Sequence, residues 1–180
     1  MTVVYRAFLT LTVVLVLAVS TAARTPPPTA RDVLVKALEQ AKVEQKNVLI
    51  HFGASWCSWC MRLDAMLESA EVGKIFHENY VIAHLTIQES PDNVALENPG
   101  AEDMVNSAGA GGAGVPVYIF FDSAGQTLAT SMAMPDGQNI GHPASPEEIN
   151  AFDVLLEKTA PRITKEQRKL VSEYLSKQPR

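Results

Sequence analysis

Residues 48–60 read VLIHFGASWCSWC, and no other stretch constrains the fold as tightly. Val48–Phe52 is a short, continuous apolar run, the pattern of a strand buried on both faces. Gly53-Ala54-Ser55 breaks it, and CMRLDAMLES continues as a helix with Leu63, Met66 and Leu67 on its apolar side. A strand buried on both faces needs a layer above and a layer below. A helix that follows it directly supplies one of them.

The break also carries the only two cysteines of the chain, Cys57 and Cys60. Three readings are open: a structural disulfide, half of a zinc site, or a pair that opens and closes. A disulfide closing so small a loop removes little entropy from the unfolded chain, so it is a poor staple. Zinc wants four ligands, and His51, His77, His84 and His142 are not spaced like a second ligand pair, so no metal is expected. The balance tilts toward redox chemistry.

The compartment bears on this. Arg6 precedes the apolar run AFLTLTVVLVLAVS, and small residues follow in STAAR. Residues 1–23 read as a secretory signal peptide cut near Ala22 or Ala23. An uncleaved anchor is the alternative, but the run is short for a bilayer and Thr10, Thr12 and Ser20 interrupt it. Export, most simply to the periplasm, otherwise as a secreted or N-terminally anchored protein, takes the thiols away from the reducing cytosol.

Residues 24–29 read as a Pro-rich linker, and residues 30–178 as one domain. Thr29 with Asp32 caps a helix whose face is Leu34, Ala37, Leu38 and Ala41. Ser69 caps a short turn that buries Val72, Ile75 and Phe76. Tyr80–Ile87 and Val117–Phe121 read as further strands, and Asp122–Gly125 turns into the partner strand QTLAT. Between them, residues 88–114 form a long loop with one or two helical turns at AEDMV; residues 131–145 form another. Ser145-Pro146-Glu147-Glu148 starts a helix that buries Ile149, Phe152, Leu155 and Leu156. Thr164 with Gln167 starts a last helix through Leu170, Val171, Tyr174 and Leu175. The order implies an α/β fold: a mixed sheet of about four strands with helices on both faces and an extra C-terminal helix. With 47% hydrophobic and 19% charged residues the chain is globular, and a net charge of −5 with scattered Lys and Arg gives no footprint for nucleic acid.

Residues Val48–Cys60, a strand running into WCxxC at a helix start, together with Gly114-Val115-Pro116 leading into Val117–Phe121, resemble the thioredoxin superfamily. The likeness covers roughly residues 30–160. Within the superfamily the chain is most similar to small exported thioredoxin-like proteins with a WCxWC motif, to which the C-terminal domain of DsbD is related. The resemblance implies a thioredoxin fold and a thiol–disulfide oxidoreductase that exchanges disulfides with protein thiols, without a bound cofactor. It implies a cis Pro116 facing the cysteines. Cys57 at the helix N-terminus is then the attacking and more exposed residue, and Cys60 the resolving one. Trp56, Trp59, Val115 and Pro116 are the candidate substrate-binding residues. The likeness to DsbD leans the direction toward a reductase, supplied by a membrane electron donor, with the mature domain soluble.

Three departures from the family stand out. Ser58-Trp59 replaces Gly-Pro between the cysteines, and the two loops exceed the minimal fold. His51 replaces the buried acid on the preceding strand, which makes it a candidate for tuning the cysteine pKa values; a satisfied core histidine is the plainer reading. His142 borders the site if the loop before the last core helix does. The alternative function is a thioredoxin-fold binding or chaperone-like module in which the disulfide is permanent.

Overall fold

The computed structural model describes residues 25–178. The expected signal peptide, residues 1–23, lies outside them. The first helix, α1 (Ala30–Glu44), begins where Thr29 accepts a hydrogen bond from the Asp32 amide, and it ends at Gln45, which takes left-handed backbone dihedrals. The chain then enters β1 (Asn47–Gly53), passes the cysteine motif into α2 (Ser58–Leu67), and continues through α3 (Gly73–Asn79) into β2 (Tyr80–Thr86). Beyond β2 come a 3-10 helix at Pro91–Leu96 and α4 (Ala101–Ser107). The hairpin of β3 (Val117–Phe121) and β4 (Thr127–Thr130) follows, and α5 (Pro146–Thr159) and α6 (Lys165–Ser176) close the chain.

The four strands form one mixed sheet in the order β2-β1-β3-β4. β1 runs parallel to β2 and antiparallel to β3, and β3 is antiparallel to β4. Alternation along the strands divides the interior in two. Leu49, Tyr80, Tyr118 and Phe120 face α2, α3, α5 and α6. Val48, Ile50, Phe52, Val117 and Ile119 face α1 and α4. β1 is therefore buried on both sides, as its unbroken apolar run requires.

The two long connections are ordered against the sheet. In the first, the Asn98 side chain accepts from the Thr86 amide (2.7 Å) and donates to the Pro28 carbonyl (2.8 Å). The last residues of the Pro-rich segment are thereby docked on the domain instead of spanning a gap. In the second, Ser131 extends the β3–β4 pairing: its amide donates to Tyr118 O (2.9 Å), and its hydroxyl accepts from Tyr118 N (3.0 Å). One face assignment fails. Leu170 is 52% exposed, because only Val171 and Leu175 of α6 turn fully inward while Tyr174 packs at the edge.

Candidate functional site

Cys57 is the N-cap of α2, and it forms a disulfide with Cys60 in the first turn. Its sulfur accepts a hydrogen bond from the Cys60 amide at 3.0 Å, so one of the unpaired amides at the helix start already points at it. The same sulfur lies 3.6 Å from the Val115 carbonyl oxygen. Ala54, both cysteines and Val115 form one small apolar cluster. Cys57 was expected to be the more exposed of the pair. The two are buried alike, at 3% and 2% exposure, because Val115 covers Cys57 while the end of β1 covers Cys60.

Each flank of the motif is fixed by one of the long connections. Glu89 accepts from both the amide (2.6 Å) and the hydroxyl (2.8 Å) of Ser55. Trp56 is 59% exposed, so it is not a core aromatic, and its indole N–H donates to the Gln88 carbonyl at 2.8 Å. On the other side, the Val115–Pro116 peptide bond is cis. The Asn139 side-chain amide donates to the carbonyls of Gly114 (2.7 Å) and Pro116 (2.9 Å), bracketing Val115.

Trp59 stands 39% exposed between the cysteines. The guanidinium of Arg62 lies 4.6 Å from its ring centroid, and the His142 ring stacks on it at 6.0 Å. The Gly141-His142-Pro143 turn does border the motif. Burial, with a smaller contribution from the nearby Arg62 charge, pushes the His142 pKa down to about 4, so the ring is neutral at neutral pH.

Beneath Cys60 the strand register brings together residues that linear spacing keeps apart. His51 and His84 are paired neighbours on β1 and β2. Asp64, one helical turn after Cys60, reaches both: its carboxylate is 3.0 Å from His51 Nδ1 and 3.8 Å from His84 Nδ1. His51 is 1% exposed, and its Nε2 and the neighbouring Tyr118 hydroxyl have no hydrogen-bond partner among the described residues. Burial lowers the His51 pKa against the opposing pull of Asp64. Partial burial pulls the Asp64 carboxyl up, but the hydrogen bond to His51 and the nearby His84 ring outweigh it and hold the group well below the usual carboxylate range. A Cβ placed on Gly53 would sit 3.2 Å from both Cys60 Sγ and His84 Cε1, so glycine is what lets the sulfur approach the imidazole. Sequence reasoning named His51 but missed Asp64 and His84. The available signals were the position of His84 inside an otherwise apolar strand and the four-residue step from Cys60 to Asp64.

Residues 29–123, just over half of the chain, match the thioredoxin-like family. Spermatogenesis-associated protein 20 of Mus musculus is 31% identical over 58 residues, which are 32% of this chain and 7% of that protein. The chain thus matches only a small part of that relative's length. Among solved structures, a disulphide isomerase from Xylella fastidiosa Temecula1 superposes with a TM-score of 0.49 at 16% identity, over 86% of this chain and 98% of that one. The oxidised C-terminal domain of DsbD from Neisseria meningitidis gives a TM-score of 0.40 at 20% identity, over 57% and 83% of the two chains. With its four-stranded mixed sheet, helices on both faces and a CxxC disulfide at a helix start, the chain belongs to the thioredoxin-like family.

Proposed function

We propose that this chain is an exported thiol–disulfide oxidoreductase that exchanges disulfides with protein partners through Cys57 and Cys60. The reading rests on one observation above all: a disulfide at the N-terminus of α2 whose Cys57 sulfur lies beside the Val115 carbonyl at the head of β3. In the reducing direction, the Cys57 thiolate attacks one sulfur of a partner disulfide. A mixed disulfide forms, and the partner's other sulfur leaves as a thiolate. Cys60 loses its proton to solvent and attacks the Cys57 sulfur. That step re-forms the Cys57–Cys60 disulfide and releases the second partner thiol. Two electrons pass to the partner, and a second dithiol, supplied on this reading by a membrane donor, restores the pair. The reverse sequence oxidises the partner. No bound cofactor takes part.

The remaining residues take supporting roles. Helix-terminal amides favour the Cys57 anion. The Val115 backbone pairs with an extended partner segment, with Pro116 beside it. Trp56 and Trp59, both exposed, supply apolar contact. His51 tunes the proton balance under Cys60. Residues 1–23 act as the signal peptide, residues 24–29 as the linker and residues 30–178 as the working domain, delivered to the periplasm. No helix among the described residues is long and apolar enough to cross a membrane.

The near-complete burial of both cysteines favours a second reading, a binding module with a permanent disulfide. The two part cleanly in a Cys60→Ser variant of the full chain, expressed with its signal and run on non-reducing gels. Exchange chemistry predicts mixed disulfides between Cys57 and partner proteins that vanish on reduction. A variant that traps nothing, from a chain whose disulfide shows no reversible two-electron transition in redox buffers, leaves the binding module standing.

A further inference from the structure

The geometry points to a metal site under the cysteine pair: His51, Asp64 and His84 form a three-donor set for a borderline divalent first-row transition ion of the Zn2+ class, and the Cys60 thiolate becomes its fourth ligand when the disulfide is open. One donor atom from each of the three residues lies within 4.8 Å of the other two. Tetrahedral zinc with bonds of about 2.0–2.1 Å spaces its ligands about 3.3 Å apart. The observed 3.0 Å and 3.8 Å from Asp64 to the two imidazoles bracket that value. The widest separation, up to 4.8 Å, must close by up to about 1.5 Å. His84 is the residue free to do so, since its side chain is 45% exposed while that of His51 is held at 1%.

The chemistry of the donors agrees with the geometry. Two imidazoles and one carboxylate select zinc-like ions over magnesium or calcium, which prefer all-oxygen sites. The carboxylate is ionised at neutral pH, and the cleft it faces is lined by Ala54, Ser55, Cys60, Asp64, His84 and Glu89, among other residues, with no lysine or arginine in its wall. A cation entering there meets two carboxylates and no lysine or arginine among the described residues that line the cleft. Nothing on the far side of His51 fixes its tautomer, because Nε2 has no partner. The ring proton can move to Nε2 as Nδ1 takes the metal, without breaking another hydrogen bond.

Cys60 lies in the wall of the same cleft, with its sulfur and the His84 ring both in contact with the space above Gly53. Reduction of the disulfide by a dithiol frees two thiols. Cys60 then gives its proton to solvent and its sulfur to the metal, and the dithiol leaves oxidised. Only this last ligand depends on the exchange activity proposed above. The three-donor set exists in the oxidised chain.

The test uses Co2+ as the spectroscopic probe of the full chain, oxidised and then reduced with a phosphine that does not bind the ion strongly. The oxidised protein is expected to give ligand-field absorption on Co2+ titration. The reduced protein binds more tightly and adds a sulfur-to-metal charge-transfer band. His84→Ala, at a half-exposed position whose folding is checked by circular dichroism, weakens Co2+ at least about tenfold in both states, since even the loss of an outer-shell partner costs that much. Asp64→Asn does the same, while His77→Ala, on α3 and outside both the donor set and the lining of the cleft, leaves binding unchanged. The proposal is overturned if oxidised wild type shows no ligand-field absorption above that of His84→Ala. It is equally overturned if the charge-transfer band of the reduced protein persists undiminished in His84→Ala, for then the cysteines alone hold the metal. A chain that binds Co2+ when oxidised but has no reversible thiol–disulfide transition keeps the three-donor site and removes the exchange reading, so the two failures are distinguishable.

Discussion

His142 carries the clearest pH prediction, because its environment penalises its charge. In the unfolded chain a histidine titrates near about 6.5. In the fold, burial and then the Arg62 charge lower His142 to about 4, with Glu148 pulling weakly the other way. Between those two values the unfolded state binds more protons than the native one, so stability falls as pH falls through that window. The full loss, reached below the lower value, is at most about 3 kcal/mol. His51 acts in the same direction, since burial lowers its pKa too. A His142→Leu variant removes one of the two contributions while keeping an apolar body under Trp59. Unfolding free energies from urea titrations at pH 7 and pH 4.5 are expected to differ by about 1–2 kcal/mol less in the variant than in wild type. Parallel acid losses in both proteins would remove His142 from this role.

Secondary-structure elements were legible where local chemistry decides them. Thr29, Ser145 and Thr164 each accept the hydrogen bond expected of a helix cap, and the Ser145–Glu148 and Thr164–Gln167 pairs close full capping boxes. Ser145→Ala is accordingly expected to cost about 1 kcal/mol in denaturant unfolding, with the site chemistry unchanged. The long connections were not legible, because polar residues such as Glu89, Asn98 and Asn139 reveal their partners only once the chain is folded. The cluster under Cys60 was hidden for the same reason: His51 and His84 meet through strand register, and Asp64 joins them through the pitch of α2. Asn139 shows what such a connection contributes. Its side-chain N–H groups hold the carbonyls on either side of Val115, the segment proposed to pair with a partner, while its Oδ1 accepts from the Gly141 amide. At about 1 kcal/mol each, the loss of the two bonds to those carbonyls in Asn139→Ala is expected to lower kcat/KM for a disulfide-bonded protein substrate by about fivefold or more. The redox potential should hardly move, since none of the three side-chain hydrogen bonds touches a sulfur. An equal change in potential and rate would place Asn139 in the redox chemistry itself.

For the molecule as a whole, the direction of electron flow is tied to stability. The four states, folded or unfolded and oxidised or reduced, form a closed cycle. Each ~1.4 kcal/mol by which the oxidised form outlasts the reduced one lowers the folded potential by about 30 mV relative to the same cysteines in the unfolded chain. One feature of the fold opposes reduction. The sulfurs must separate to van der Waals contact in a site where both residues are at most 3% exposed, between the Gly53 backbone and Val115. The ionised Asp64, with Glu89 in the same wall, keeps a reduced Cys60 as a neutral thiol, so ionisation there adds nothing to the reduced form. Against the packing stands the α2 N-terminus, which favours a Cys57 thiolate by about 0.3–1 kcal/mol. Overfilling a close-packed site costs more, about 1–3 kcal/mol, so the oxidised protein is expected to be the more stable form. That sign lowers the folded potential below that of the same cysteines in the unfolded chain, the side on which the proposed reducing direction lies. Urea unfolding of the fully oxidised and fully reduced chain, in metal-free buffer so that no cation neutralises Asp64, reads the difference directly. A reduced form that proves the more stable would make the folded chain an oxidant of its partners and reverse the proposed direction.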